Sequence, residues 1–187
     1  MTIMKATGIV RRIDDLGRVV IPKEIRRTMR IREGDPLEIY TDREGEVIFK
    51  KYSPIGELAT FAAQYAETLQ KICSMAVVIC DRDAVIASAG VPKKEYMDKK
   101  ISKELEEATE KRTLYQYRGG ERICVTGDDG RHYISSAMPI LTEGDVIGCV
   151  CAMASAEEGE EGERLPKELE AKLIQTAAVF LGKQLES

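Results

Sequence analysis

The 187-residue sequence contains no apolar run approaching the roughly 20 residues that a helix needs to cross a bilayer. Its start, Met1-Thr-Ile-Met-Lys5, lacks the apolar stretch and small-residue cleavage site of a secretory signal, so a cytoplasmic location with no membrane partner is expected. Histidine is nearly missing. His132 is the single example and stands among strand residues, which leaves no base for a Ser-His or Cys-His constellation. The five cysteines, Cys73, Cys80, Cys124, Cys149 and Cys151, are odd in number and include no CxxC pair. A reducing compartment disfavours a disulfide framework, and Cys149-Val-Cys151 offers two metal ligands on one strand face with nothing placed beside them by sequence. The thiols are expected to be buried core residues. A GxxxxGK[ST] phosphate loop is also absent, and Gly119-Gly120 reads as a turn. These absences predict no catalytic residue, no metal and no cofactor.

What is present is an ordinary globular composition, 43% hydrophobic and 32% charged, far from that of disordered chains. The formal charge of −4 conceals a polarity along the chain. Through Arg32 there are nine basic residues (Lys5, Arg11, Arg12, Arg18, Lys23, Arg26, Arg27, Arg30, Arg32) against three acidic ones (Asp14, Asp15, Glu24), a local balance of +6. A basic block inside an acidic protein is the footprint of a phosphate-binding surface, since neutralising phosphates releases condensed counterions. The competing reading is a solvated charged face with pairs such as Glu24 and Arg27 at i,i+3.

The pattern divides the chain at Ser53-Pro54 into segments 1–53 and 54–187. In the first, Ala6 to Ile13 and Arg18 to Ile21 read as strands around the turn Asp14-Asp-Leu-Gly17. Carboxylates shape that turn, and Gly17 permits the tight bend that aims Arg18. Pro22 opens a helix running to Arg30, which Gly34 ends. Leu37 to Tyr40 and Val47 to Phe49 form a hairpin around Asp42-Arg-Glu-Gly45. Four short strands and one helix bury little surface alone, so this segment is expected to need a second chain. The remainder reads as helix (Ile55 to Ile72), strands (Ala76 to Cys80, Ala84 to Ala89), helix (Ser102 to Lys111), strands (Arg122 to Thr126, Tyr133 to Ile140, Asp145 to Met153) and a closing helix. Leu165, Leu169, Leu173, Ala177, Phe180, Leu181 and Leu185 form the apolar stripe of that last helix, and Glu157 to Glu163 reads as an acidic loop before it. The fold class is α+β, with an antiparallel sheet flanked by helices.

The string Lys5-Ala-Thr-Gly-Ile-Val-Arg-Arg-Ile-Asp-Asp-Leu-Gly-Arg-Val-Val-Ile-Pro-Lys-Glu-Ile-Arg-Arg-Thr-Met-Arg-Ile31, followed by Gly34-Asp-Pro-Leu-Glu-Ile-Tyr40, closely resembles the AbrB family of bacterial transition-state regulators. The resemblance implies a dimeric swapped-hairpin barrel in which two chains interleave their strands. With Lys51-Tyr-Ser-Pro54, Ile79-Cys-Asp-Arg-Asp83, Pro139-Ile140 and Ile147-Gly148 it extends to sporulation regulators of that family whose second part is a GAF-like domain joining two dimers into a tetramer. Such members act on double-stranded, A·T-rich DNA as activators or repressors, in association with the nucleoid and in the forespore. The family's DNA-contacting arginines fall on Arg11, Arg18, Arg26 and Arg27, with Arg12, Lys23 and Arg30 as a second tier. A small-molecule effector of the GAF-like domain is an open partner, with Tyr96, Tyr115 and Tyr133 as pocket contributors. Two competing readings remain beside this one: thiol chemistry at Cys124, Cys149 and Cys151, as in GAF-fold reductases of free methionine sulfoxide, and toxin neutralisation, as in related swapped-hairpin proteins.

Overall fold

The computed structural model describes residues 7–127, 131–156 and 165–186. Lys5 and Ala6, the end of the Gly127-to-Gly130 turn and the acidic Glu157 to Glu163 stretch lie outside the described residues. The chain forms two compact units, Met1–Tyr52 and Ser53–Ser187.

The first unit holds helix α1 (Lys23–Thr28) and the antiparallel strands β1 (Leu37–Thr41) and β2 (Val47–Lys51). Two of its reverse turns are built alike. Asp42 accepts the N–H groups of Glu44 and Glu46 at 2.9 Å, and Gly45 takes the left-handed φ of +87°. In the same way Asp14 accepts from the N–H of Leu16 at 3.1 Å and of Arg18 at 2.7 Å, with Gly17 at φ +76°. An aspartate whose short carboxylate reaches two backbone donors ahead, followed by a glycine three residues on, makes both turns local products of sequence. The expected strands around the first turn are not formed within one chain. Asp14 N–H bonds to the Arg18 carbonyl at 3.0 Å, but the flanking residues 7–13 and 18–21 carry no sheet ladder. Helix α1 is also shorter than expected. It closes through bonds from Ile31 N–H to Arg26 C=O (2.7 Å) and from Arg30 N–H to Arg27 C=O (3.3 Å), with Arg30 in the left-handed conformation. That paired 6→1 and 5→2 closure stops the helix before Gly34 is reached.

Among the described residues of this unit only Pro22 is buried. Val10 is 87% exposed, Val20 70% and Ile39 61%, so apolar residues of the two arms and of β1 stand in water.

The second unit begins with two helical pieces, α2 (Pro54–Glu57) and α3 (Ala59–Cys73), which break the expected continuous helix at Leu58. They are followed by β3 (Ala76–Asp81), β4 (Val85–Ala89), α4 (Lys93–Tyr96), α5 (Lys103–Glu110), β5 (Tyr115–Gln116), β6 (His132–Thr142), β7 (Asp145–Ser155) and α6 (Lys167–Gln184). The strands form one antiparallel sheet in the order β4-β3-β7-β6-β5. Alternation along the strands gives each face its own core. Val77, Ile79, Val150 and Ala152 meet α3 and α6, while Val78, Cys80, Cys149 and Cys151 meet the cluster of Tyr96 from α4, Leu105 from α5 and Ile101 between them. Among the described residues no helix is long and apolar enough to cross a membrane.

Two elements depart from the sequence reading. The expected strand Arg122 to Thr126 is irregular. Ser102, the N-cap of α5, accepts from Leu105 N–H, and its hydroxyl donates to Cys124 C=O at 2.7 Å. Ser102 N–H also bonds to Val125 C=O, so the segment is pinned to a helix start, and β5 takes the sheet edge instead. Helix α6 turns Ala171, Ile174, Ala177, Ala178 and Leu181 inward, leaving Leu169 and Phe180 at 44% and 37% exposure. The helix lies close on the sheet at one end of that face. At Gly182 an added Cβ would collide with the carbonyl oxygen of Leu141 on β6. Ser135 and Ser136, at a bulge in β6, both donate to Glu170 Oε1 at 2.8 and 2.7 Å and fasten the first turn of α6 to the same strand.

Candidate nucleic-acid interface

The basic residues expected to bind DNA fall into two groups. Lys23, Arg26 and Arg27 belong to α1, with Arg30 just past its end. Spacings of three and four place Lys23, Arg26 and Arg27 on one side of the helix, Arg30 lies beyond its last turn, and all four are exposed. Glu24 and Arg27 do not form the i,i+3 pair that would neutralise this face: among the described residues neither enters an ion pair. Lys23 and Arg26 are equally unpaired, so α1 presents a row of cations with no internal counterion. Helix α1 buries none of its own residues.

The second group, Arg11, Arg12 and Arg18, flanks the first turn. Arg18 is the structured member. Its Nε donates to Asp14 Oδ2 at 2.8 Å while its N–H binds the other carboxylate oxygen. The Arg18 backbone N–H first, then its guanidinium, hold the Asp14 carboxyl below the usual aspartate range. Because Asp14 takes only Nε, the two terminal nitrogens stay available as a planar fork, the geometry that spans two phosphate oxygens or a guanine edge. The sequence showed that Asp14 shapes the turn. It did not reveal that the same carboxylate orients Arg18, although aspartate four residues ahead of arginine across a glycine turn is a usable signal. Arg11 and Arg12 are exposed on the other arm and unpaired among the described residues.

In the second unit the residues weighed as chemical sites sit mostly in packing roles. Cys80, Cys149 and Cys151 are buried on one sheet face, with the Cys149 and Cys151 sulfurs 3.7 Å apart. Hydrogen bonding to Cys149, reinforced by burial, pushes the Cys80 and Cys151 thiols well above their ordinary range, while the hydrogen bonds from Cys151 and Cys80 hold the Cys149 thiol well below it. Cys124 is half-buried and is also pushed up, chiefly by burial. His132 Nδ1 lies 3.3 Å from the Tyr96 hydroxyl, and Tyr96 is fully buried. Among the described residues no group of three or more His, Cys, Asp or Glu side chains could hold a metal ion. Of the tyrosines considered for a pocket, Tyr96 is core and Tyr133 is covered by Arg122, whereas Tyr115 lines an open cleft beside α5.

Residues 57–186 match the family described as stage V sporulation protein T C-terminal, transcription factor, and residues 10–56 match the family described as antidote-toxin recognition MazE, bacterial antitoxin. The chain is 50% identical over 184 residues to stage V sporulation protein T of Bacillus subtilis (strain 168), covering 98% of this chain and 99% of that one. It is 65% identical over 51 residues to the transition state regulatory protein AbrB of the same organism, covering 27% of this chain and 52% of that protein. A solved structure of a methyl-accepting chemotaxis protein, residues 122 to 287, is similar in fold at 13% identity and a TM-score of 0.51, over 68% of this chain and 88% of that one.

Proposed function

The chain belongs to the family of stage V sporulation protein T transcription factors, and from that membership we propose that it regulates sporulation genes, as activator or repressor, by gripping duplex DNA through Arg11, Arg18, Arg26 and Arg27. The observation that carries the reading is the unpaired cation row on α1 beside an orientable Arg18, on a unit with a single buried residue among those described. A unit so poor in core completes itself by pairing with a second chain. The unladdered arms at 7–13 and 18–21 are the strands such a partner would take up in a swapped-hairpin barrel. Two-fold symmetry then doubles the cations along the duplex, the primary four first and Arg12, Lys23 and Arg30 behind them. Affinity for A·T-rich DNA follows from shape and bendability, since narrow minor grooves attract arginine.

The second unit joins dimers into a tetramer. Phe61, Tyr65 and Phe180 cluster across α3 and α6, with centroids 5.6 and 5.7 Å apart, and Phe180 and Val179 are exposed beside them. Linking dimers raises the local concentration for a second DNA segment, so modest affinity per dimer becomes avidity at paired sites. The protein acts in the cytoplasm, on the nucleoid and in the forespore, and performs no chemistry; the burial of all three clustered thiols, Cys80, Cys149 and Cys151, supports that reading against a reductase, which needs an exposed thiolate. The test is fluorescence anisotropy of the intact protein on promoter-length duplexes of A·T-rich and G·C-rich sequence, with sedimentation equilibrium for its mass. Tight, A·T-favouring binding by a tetramer is the expected result; indifference to DNA at low salt overturns it. The antitoxin match of residues 10–56 favours one other reading, toxin capture by the first unit, and co-purification of a small toxic protein with a DNA-indifferent chain would move it forward.

A further inference from the structure

A cleft of about 530 Å3 opens in the second unit between α5, the edge strand β5 and residues 117–123. That size falls within the roughly 300–1,000 Å3 of small-molecule sites. Helix α5 buries Leu105, Ala108 and Thr109 and turns Glu104, Glu107 and Lys111, three and four apart on one flank, to the cleft. The chain after β5 brings Arg118, Glu121 and Arg122 to the same space. Apolar lining comes from Ala108, Leu114, Tyr115 and Ile123.

Two features distinguish this arrangement from a solvated charged face. Arg122 is held in place, its guanidinium carbon 4.7 Å over the Tyr133 ring, and Tyr117 packs edge-on to that ring at 4.9 Å. A guanidinium held over an aromatic ring in this way can still offer N–H donors to a carboxylate. The loop that carries it is shaped for the purpose by consecutive glycines, Gly119 at φ +101° and Gly120 at +95°, with the Tyr117 hydroxyl donating to Gly120 C=O at 3.2 Å. Second, charges of both signs line one concavity without closing on each other. Among the described residues Glu104, Lys111, Arg118, Glu121 and Arg122 form no ion pair, and Glu107 pairs only with Lys103 outside the cleft lining. The interior between the sheet and α4 and α5 is a separate environment, lined by the buried side chains of Tyr96, Leu105 and Ile134 and by three buried thiols.

We infer that this cleft binds a small zwitterion of the amino-acid or short-peptide class. The ligand's carboxylate meets Arg122 and Arg118, its ammonium meets Glu104 and Glu107, and its side chain lies against Leu114, Tyr115 and Ile123. A positive end at Arg122 and a negative end at Glu104 and Glu107 favour a molecule that carries both charges over one that carries either alone. The inference stands on the second unit and is independent of DNA binding.

Isothermal titration calorimetry of the full chain tests it, with L-leucine, L-phenylalanine and the dipeptide leucyl-leucine as probes and their N-acetyl and C-amide forms as controls. At least one free zwitterion is expected to bind saturably. Its blocked forms, and the variants Arg122→Ala and Glu107→Gln, should each bind about tenfold or more weaker, the scale of one charge-assisted hydrogen bond. Arg122→Lys should recover part of the loss, and Lys172→Ala on α6 should bind as wild type. Both cleft positions are exposed, and Glu107→Gln keeps the side chain's shape, so a folded variant is available for each charge. No saturable binding by any probe at millimolar concentration, equal binding by the blocked forms, or undiminished binding in both variants overturns the inference.

Discussion

Replacing Arg26 and Arg27 together by alanine gives a quantitative test of the α1 face as a phosphate grip. Both side chains are exposed and unpaired among the described residues, and alanine is the best helix former, so α1 should survive the change. In a two-fold dimer the double variant removes four cations. Each phosphate contact contributes about 0.9 to the slope of log K against log salt, so the slope should flatten by up to about 3.6. With Arg11, Arg18, Arg26 and Arg27 all engaged twice, the wild-type slope is about −7, and affinity falls on the order of 10⁴-fold between about 50 and 200 mM salt. The double variant should fall only on the order of 10²-fold over the same range. Anisotropy titrations of a labelled duplex at several potassium chloride concentrations measure both lines, with far-ultraviolet circular dichroism to show that the helix is intact. Parallel lines would refute the reasoning: the two arginines would then contribute no counterion release, and the contacts would have to be sought at Arg11, Arg12 and Arg18.

Three further outcomes follow from the packing and the charges. The Asp14 carboxyl should titrate below the ordinary 3.8, because the Arg18 N–H and guanidinium favour its ionised form. A depressed carboxyl stabilises the turn above its unfolded pKa and loses that contribution as pH falls through the folded value; carbon-13 titration should show the midpoint rising in Arg18→Ala, and an unmoved midpoint would dissolve the pair. Gly182→Ala should destabilise the second unit by about 1–3 kcal/mol, since the new methyl overlaps the Leu141 carbonyl. Gly127→Ala, with open space around it, serves as the control, and equal melting curves for the two would count against the close approach. Maleimide should label Cys73 and Cys124 in the native protein and reach Cys80, Cys149 and Cys151 only after denaturation; rapid native labelling of Cys149 would reopen the reading of the cluster as a reactive centre.

The elements that were legible in the sequence are those whose cause is local. The Asp42-to-Gly45 hairpin and the Asp14-to-Gly17 turn follow from an aspartate that reaches two backbone donors and a glycine that accepts a positive φ. The central strands β3, β6 and β7 overlap the expected runs, the helices α5 and α6 lie within the expected spans, and α3 covers most of its own, broken from α2 at Leu58 and ending one residue later at Cys73. Readings that depended on a partner element fared less well. Residues 7–13 and 18–21 have strand composition but no ladder, because a strand is defined by what it pairs with. Arg122 to Thr126 has it too, yet Ser102 captures its carbonyls.

By itself the sequence determined the charge polarity of the chain, the two aspartate-glycine turns and the family to which its motifs belong, since each depends on residue types within a few positions of one another. Tertiary structure alone decided which members of the α6 stripe turn fully inward: Ala177 and Leu181 are buried, Leu165, Leu173 and Leu185 pack at the border of the core, and Leu169 and Phe180 are left exposed, while Gly182 permits a close approach to Leu141. It also decided where charges meet. Asp14 commits one nitrogen of Arg18 and leaves two, and Lys111, Arg118 and Arg122 come to one cleft with Glu104 and Glu107 only because β5, α5 and a two-glycine loop converge at the sheet edge. Coulomb energies depend on distance through space, and no spacing along the chain encodes it.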